Sequence, residues 1–184
     1  MYASGVIRLR TALTMFAVCA VATTTSQLAL ADDHSEADRL YREALASMDA
    51  GNVRDACPKL EQSQALDPAL GTQFELASCY ELAGRWVDAV ELYGRVNDIA
   101  HQAGKRKLEE SARAKQAALL PKVPRLVVRG EMPEGAEITL DGKPWSTRTP
   151  LVDVGAHTFR VTAKGIVPFE RTIKAEAGKT AEID

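Results

Sequence analysis

The fold of this chain is decided by a stretch that occurs in two related copies, LYREALASMDAGNVRDACPKL at residues 40–60 and QFELASCYELAGRWVDAVELY at residues 73–93. The copies lie 33 residues apart and share small residues at matched positions, which are Ala44, Gly51 and Ala56 in the first copy and Ala77, Gly84 and Ala89 in the second. Small residues let paired helices approach closely, and a glycine supplies the left-handed backbone that ends a helix. The stretch therefore predicts two helix-turn-helix units of a helical repeat protein.

The helical pattern extends on both sides of this stretch. The first helix is predicted to start at Ser35, where a capping residue precedes apolar positions spaced by three and four. The second is predicted to run from Val53, but Pro58 removes a helical hydrogen bond, so this helix is either kinked or begins only at Asp55. A fifth helix, at residues 105–120, is rich in alanine and charge and is predicted to cap the stack with a polar face.

The N-terminal segment predicts export. Two arginines precede a short apolar run at residues 11–22, and Ala29-Leu30-Ala31 follows with the small residues of a signal-peptidase site. The apolar run is shorter than the roughly 20 residues that a membrane-spanning helix needs. We therefore predict a signal peptide at residues 1–31 cleaved after Ala31, no transmembrane anchor in the mature chain, and a location in the periplasm or cell envelope.

Charge is unevenly distributed along the 184 residues. Residues 32–104 hold 6 basic and 14 acidic groups, residues 105–122 hold 6 and 2, and residues 125–184 hold 9 of each. Nucleic acid binding needs one sustained basic face, which this distribution does not provide. We therefore predict no nucleic acid partner, and we expect the basic helix at 105–122 to be attracted to the acidic helices before it.

Beyond Pro124 the apolar period changes from 3.6 to 2, which predicts strands. Short β-rich runs are separated by turn signals such as Asp141-Gly142, and the connections are too short for crossover helices. These features predict a small β-sandwich-like module with an antiparallel sheet throughout. The predicted fold class is α+β, with a signal peptide at 1–31, helical repeats at 32–104, a capping and connecting helix at 105–122 and the β module at 123–184.

The predicted mature chain holds two cysteines, Cys57 and Cys79. Cys57 lies early in the second helix and Cys79 late in the third, and antiparallel neighbouring helices would bring two such positions together. An exported protein meets an oxidising compartment, which permits a disulfide between them. The alternative is a pair of small buried thiols.

Catalytic and metal-binding patterns are absent from the sequence. His34, His101 and His157 have no ligand spacing, and neither a nucleophile motif nor a phosphate-binding glycine loop occurs. We therefore predict a protein that is not an enzyme and has no cofactor or metal site. The kind of function that remains is recognition of a partner at the surface, and the sequence predicts two sites for it. The first is a groove of the helical stack lined by Tyr41, Gln73, Glu75 and Glu81. The second is an exposed Trp145 that stacks on a partner or a sugar.

The repeat pair resembles the tetratricopeptide family, through Ala44, Gly51, Ala56 and Pro68 and then Ala77, Tyr80, Gly84, Ala89 and Tyr93. The stretch Ala56-Cys57-Pro58-Lys59-Leu60-Glu61 also resembles a group of exported repeat proteins of myxobacteria and their relatives, in which a β module follows the helices. The C-terminal part resembles the PEGA domain. That resemblance rests on Pro133-Glu134-Gly135-Ala136, Ile138-Thr139-Leu140-Asp141-Gly142, Thr149-Pro150-Leu151 and Gly155-Ala156-His157.

Together these resemblances imply a non-enzymatic, exported scaffolding protein of the cell envelope that binds a protein or peptide through its helical repeats. The alternative is an envelope carbohydrate or peptidoglycan binder that acts through the β module, with cell-wall glycan as its partner.

Overall fold

The computed structural model describes residues 24–146 and 150–184, with side chains from Asp33 onward. Five helices precede a strand-rich region, which confirms the predicted α+β class. The helices are α1 (Thr24–Asp49), α2 (Val53–Leu66), α3 (Leu70–Leu82), α4 (Trp86–Gln102) and α5 (Arg106–Leu119). After a 3-10 turn at Leu120–Lys122 come the strands β1 (Arg125–Val128), β2 (Glu137–Leu140), β3 (Lys143–Pro144), β4 (Gly155–Thr162), β5 (Phe169–Ala175) and β6 (Thr180–Ile183).

Two predicted helix starts need correction. The first helix begins at Thr24 and not at Ser35. The predicted cleavage after Ala31 therefore falls within α1 and stays a prediction. Residues 1–23 of the predicted signal peptide lie outside the described residues. Thr149 of the PEGA resemblance also lies outside them. The second helix begins at Val53 with Pro58 inside it, so the alternative start at Asp55 is wrong.

One corner geometry recurs between the helices. Gly51, Gly84 and Gly104 have φ angles of 76°, 77° and 66°. At the first corner the N–H of Gly51 donates to the carbonyl of Met48 (2.9 Å) and the next N–H, of Asn52, donates to the carbonyl of Ser47 (2.8 Å). The same pair of bonds occurs at the other two corners. This arrangement satisfies carbonyls at the end of a helix and requires a left-handed residue, which explains the glycines.

The matched positions of the duplicated stretch form the core of the helical part. Their side chains are fully buried, and they are Ala44, Ala56 and Leu60 in the first copy and Ala77, Ala89 and Tyr93 in the second. Cys57 and Cys79 form a disulfide that joins α2 to α3, with 5.6 Å between their Cα atoms. The predicted close packing and the predicted disulfide are therefore confirmed.

The strands form two small sheets that share one core. The larger sheet has the order β3-β2-β4-β5 and is antiparallel, and its Asp141-Gly142 hairpin turn has positive φ at both residues. The smaller sheet pairs β1 with β6 in parallel. The prediction of an antiparallel sheet throughout is therefore wrong for this pair, because strands β2 to β5 together supply the long connection that parallel strands need. Leu126 and Ile183 of the smaller sheet pack with Phe159 of the larger one.

The helical part and the β region meet at a polar joint. Asp153 Oδ1 accepts a hydrogen bond from the backbone N–H of Val87 at 2.8 Å, in the first turn of α4. The carbonyl of Asp153 accepts from Nε2 of His157 at 2.7 Å, and Asp141 Oδ2 lies 2.7 Å from Nδ1 of the same ring. Burial opposes the charged ring, but these bonds outweigh burial and raise the pKa of His157. A protonated ring donates to both acceptors at once.

Candidate functional site

Tyr41 on α1 and Glu75 on α3 are near enough for the charge of Glu75 to act on the Tyr41 hydroxyl. Tyr41 is partly buried, and burial together with the charges of Glu75 and Asp38 raises the pKa of its hydroxyl. Burial also raises the pKa of Glu75, although the charge of Lys115 opposes this shift. Among the residues that the structure describes, the carboxylate of Glu75 has no hydrogen-bond or ion-pair partner. Glu75 is therefore a partly desolvated acceptor that remains available to a ligand.

A hydrogen-bonded group lies beside Glu75. Glu81 Oε2 accepts from the hydroxyl of Tyr93 at 3.0 Å and from Nζ of Lys115 at 3.3 Å. Ser78 Oγ lies 3.0 Å from the same tyrosine hydroxyl. We call the six residues of this surface the polar face, and they are Tyr41, Glu75, Ser78, Glu81, Tyr93 and Lys115. The polar face spans α1, α3, α4 and α5, and the buried Tyr93 forms its base.

A cleft of about 220 Å³ continues from Tyr41 between α1 and the start of α3. Asp38 and Asp67 form acidic walls, and His34 Nδ1 lies 2.5 Å from Asp67 Oδ2 across the mouth. Thr72 is buried at the start of α3 and also lines the cleft. Tyr41 is shared by the cleft and the polar face, and together the two carry more acidic than basic side chains.

The structure does not group all the predicted groove residues. Tyr41, Glu75 and Glu81 belong to the polar face, and their role in binding a partner stays a prediction. Gln73 lies seven residues before Tyr80 and so shares its helix face, and Tyr80 donates to Glu61 on α2 at 2.7 Å. Gln73 is therefore turned toward the α2 side, away from the polar face.

Trp145 is half-buried and not exposed as the sequence predicted. Its ring packs edge-on against Phe159, with 6.0 Å between the ring centroids, and belongs to the core of the β region. The structure offers no observation that favours a sugar stacked on Trp145, and the carbohydrate alternative stays a prediction.

Three residues of the polar face were not among the predicted groove residues, and they are Ser78, Tyr93 and Lys115. Tyr93 is a fully buried residue at the position that matches Leu60, and its hydroxyl reaches Glu81. Lys115 was expected to attract the acidic helices as part of a basic helix, and its contact with Glu81 agrees with that expectation. The sequence signal for these three residues was weak, because neither spacing nor charge pattern predicts which distant side chains meet.

The described residues contain no cluster of histidine, cysteine or carboxylate side chains arranged to hold a metal ion. None of the described helices is long and apolar enough to span a membrane.

Comparison with known proteins finds one matching family model. The family model of the PEGA domain matches residues 124–184, which covers all six strands of the β region. This match suggests a periplasmic or extracellular binding module. No curated protein and no solved structure matches the chain.

Proposed function

We propose that this protein is a non-enzymatic, exported scaffolding protein of the cell envelope, in which helical repeats of the tetratricopeptide type bind a protein or peptide partner. The PEGA match and the disulfide between Cys57 and Cys79 support an oxidising location outside the cytoplasm. The β region holds the protein among envelope components, and the polar face of the helices receives the partner.

Glu75 is the observation that carries this proposal. A carboxylate that is partly desolvated and unpaired costs stability, because burial raises its pKa and so disfavours the ionised form. A peptide that donates N–H groups or a basic side chain to Glu75 supplies the missing partner. Tyr41 and the acidic cleft beside it add an aromatic surface and further negative charge for such a peptide.

The test is recovery of partners from an envelope extract by the wild-type protein and by two variants. Glu75→Gln keeps the shape of the side chain and removes its charge, and we expect it to abolish capture of the partner. It should not lower the free energy of unfolding, since it removes a carboxylate that burial disfavours. The control is Glu91→Gln, an exposed carboxylate on α4 that is 4.0 Å from Arg95.

Capture of the same protein by the wild type and by Glu91→Gln, with loss in Glu75→Gln, supports the proposal. Equal capture by all three proteins, or no specific capture by the wild type, contradicts binding at the polar face. Urea unfolding of each variant confirms that any loss of capture is not a loss of fold.

A further inference from the structure

Strand β5 is an open edge of the larger sheet. The order β3-β2-β4-β5 places β5 at the end, with β4 on one side. In the described part of the chain, no backbone hydrogen bond outside the β4–β5 ladder involves Phe169–Ala175. One row of N–H and C=O groups along β5 is therefore free to pair with another strand.

The side chains of β5 divide between the two faces of the sheet. Ile173 and Ala175 are buried in the core on the inner face. Glu170, Thr172 and Lys174 are exposed on the outer face. The strand therefore carries an acidic and a basic side chain at equal distances on either side of Thr172.

We propose that β5 pairs antiparallel with β5 of a second copy of this chain, with Thr172 opposite Thr172. In this register Glu170 of each copy lies opposite Lys174 of the other, so that the dimer contains the same attractive pair twice. Cross-strand pairs of opposite charge stabilise a sheet and like charges destabilise it. Phe169, whose side chain is 43% exposed, would lie opposite Ala175 and lose part of its contact with water.

The charges of β5 select this register over its neighbours. A continuous sheet with a two-fold axis must keep inner residues opposite inner residues, so each allowed register is centred on one residue. Centring on Glu170, Arg171 or Lys174 places that charge opposite itself. Centring on Ile173 places Glu170 opposite Glu176. Of the registers centred on Glu170 to Lys174, the one centred on Thr172 pairs opposite charges and brings no like charges together.

A dimer of this kind goes beyond the proposed function and does not depend on it. Two copies joined through β5 carry two helical surfaces, so that binding of a repetitive partner would gain from the raised effective concentration of the second site.

The test is sedimentation velocity of the full chain over a range of concentrations, with no partner present. We expect a reversible dimer for the wild type. Glu170→Lys and Lys174→Glu each create two like-charge pairs and should weaken dimerisation at least about tenfold. The double variant Glu170→Lys/Lys174→Glu restores opposite charges between the copies and should regain the dimer.

The rescue is specific to the contact between copies. Within one chain, Glu170 lies 3.9 Å from Arg160 and Lys174 lies 3.3 Å from Glu176, and the double variant makes both of these pairs repulsive. Recovery of the dimer therefore cannot come from interactions within the chain. The control Glu137→Lys makes the same change of charge at the exposed residue of β2 and should leave the dimer intact.

A wild type that is monomeric at every concentration overturns the proposal, as does a dimer that Glu170→Lys leaves unchanged. Failure of the double variant to recover overturns the register, provided that its circular dichroism matches the wild type. Because the helical surface takes no part in this measurement, its outcome is independent of partner binding at Glu75.

Discussion

Reduction of the Cys57–Cys79 disulfide should lower the free energy of unfolding by about 3 kcal/mol. The bond joins residues that are 22 positions apart, and closing a loop of that length removes about 11 cal/mol/K of entropy from the unfolded chain. Both cysteines are buried, so the thiols of the reduced protein remain in the same packed site. The effect should therefore come mainly from the unfolded chain, which becomes less restricted.

The assay is urea unfolding at 25 °C followed by circular dichroism. Three samples are compared: the oxidised protein, the reduced protein and the variant Cys57→Ala/Cys79→Ala. The reduced protein measures the cross-link alone, and the variant adds the cost of removing two buried sulfur atoms. We also expect a larger dependence on urea without the disulfide, because the unconstrained chain exposes more surface when it unfolds.

A difference of less than about 1 kcal/mol between the oxidised and reduced proteins would refute this reasoning. It would mean that the unfolded chain already keeps α2 and α3 together without the bond. A large loss confined to the alanine variant would instead show that packing of the sulfur atoms, and not the cross-link, stabilises the two helices.

Three further predictions concern the corners and the joint. Gly84→Ala should lower the free energy of unfolding in urea by about 1 kcal/mol: an added Cβ meets nothing within 4 Å, so the cost comes from the backbone φ of 77°. Gly71 lies inside α3 and is equally open, and Gly71→Ala should instead raise the free energy of unfolding by about 0.5 kcal/mol. The difference in free energy of unfolding between the wild type and His157→Gln should be largest below about pH 6.5 and should shrink as pH rises through the raised pKa of His157. An equal difference at pH 5.5 and pH 9 would contradict this. Asp153→Ala should cost about 1 kcal/mol and speed hydrogen exchange of the Val87 amide, and unchanged exchange would refute the cap.

Local patterns predicted the helices well. The start of α2 at Val53 matches the prediction, and three helices end two residues before the glycines of the corners, because helical hydrogen bonds and corner torsions depend on residues close in the sequence. The predicted start of α1 was wrong because two local signals compete there. Ser35 is a good capping residue, but Leu28-Ala29-Leu30-Ala31 before it favours helix and continues α1 toward Thr24.

Distant pairings were not accessible to sequence reasoning. The parallel pairing of β1 with β6 joins strands from opposite ends of the β region, and no local signal encodes it. The same applies to the site: Tyr41, Glu75 and Glu81 were named from their expected helix face, whereas Tyr93 and Lys115 join them only through tertiary packing. Trp145 follows a hairpin turn that suggests exposure, yet its ring covers Phe159.

The joint at Asp153 has a mechanical consequence. Its side chain binds the first turn of α4 and its carbonyl binds His157 of β4, so Asp153 joins the helical part to the β region through two short hydrogen bonds, next to Leu151, which packs against the helical core. Force applied to the β region therefore reaches α4 through these bonds as well as through the chain that follows α5. A pull on the β region thus loads the hydrogen bond between Asp153 and the amide of Val87 directly.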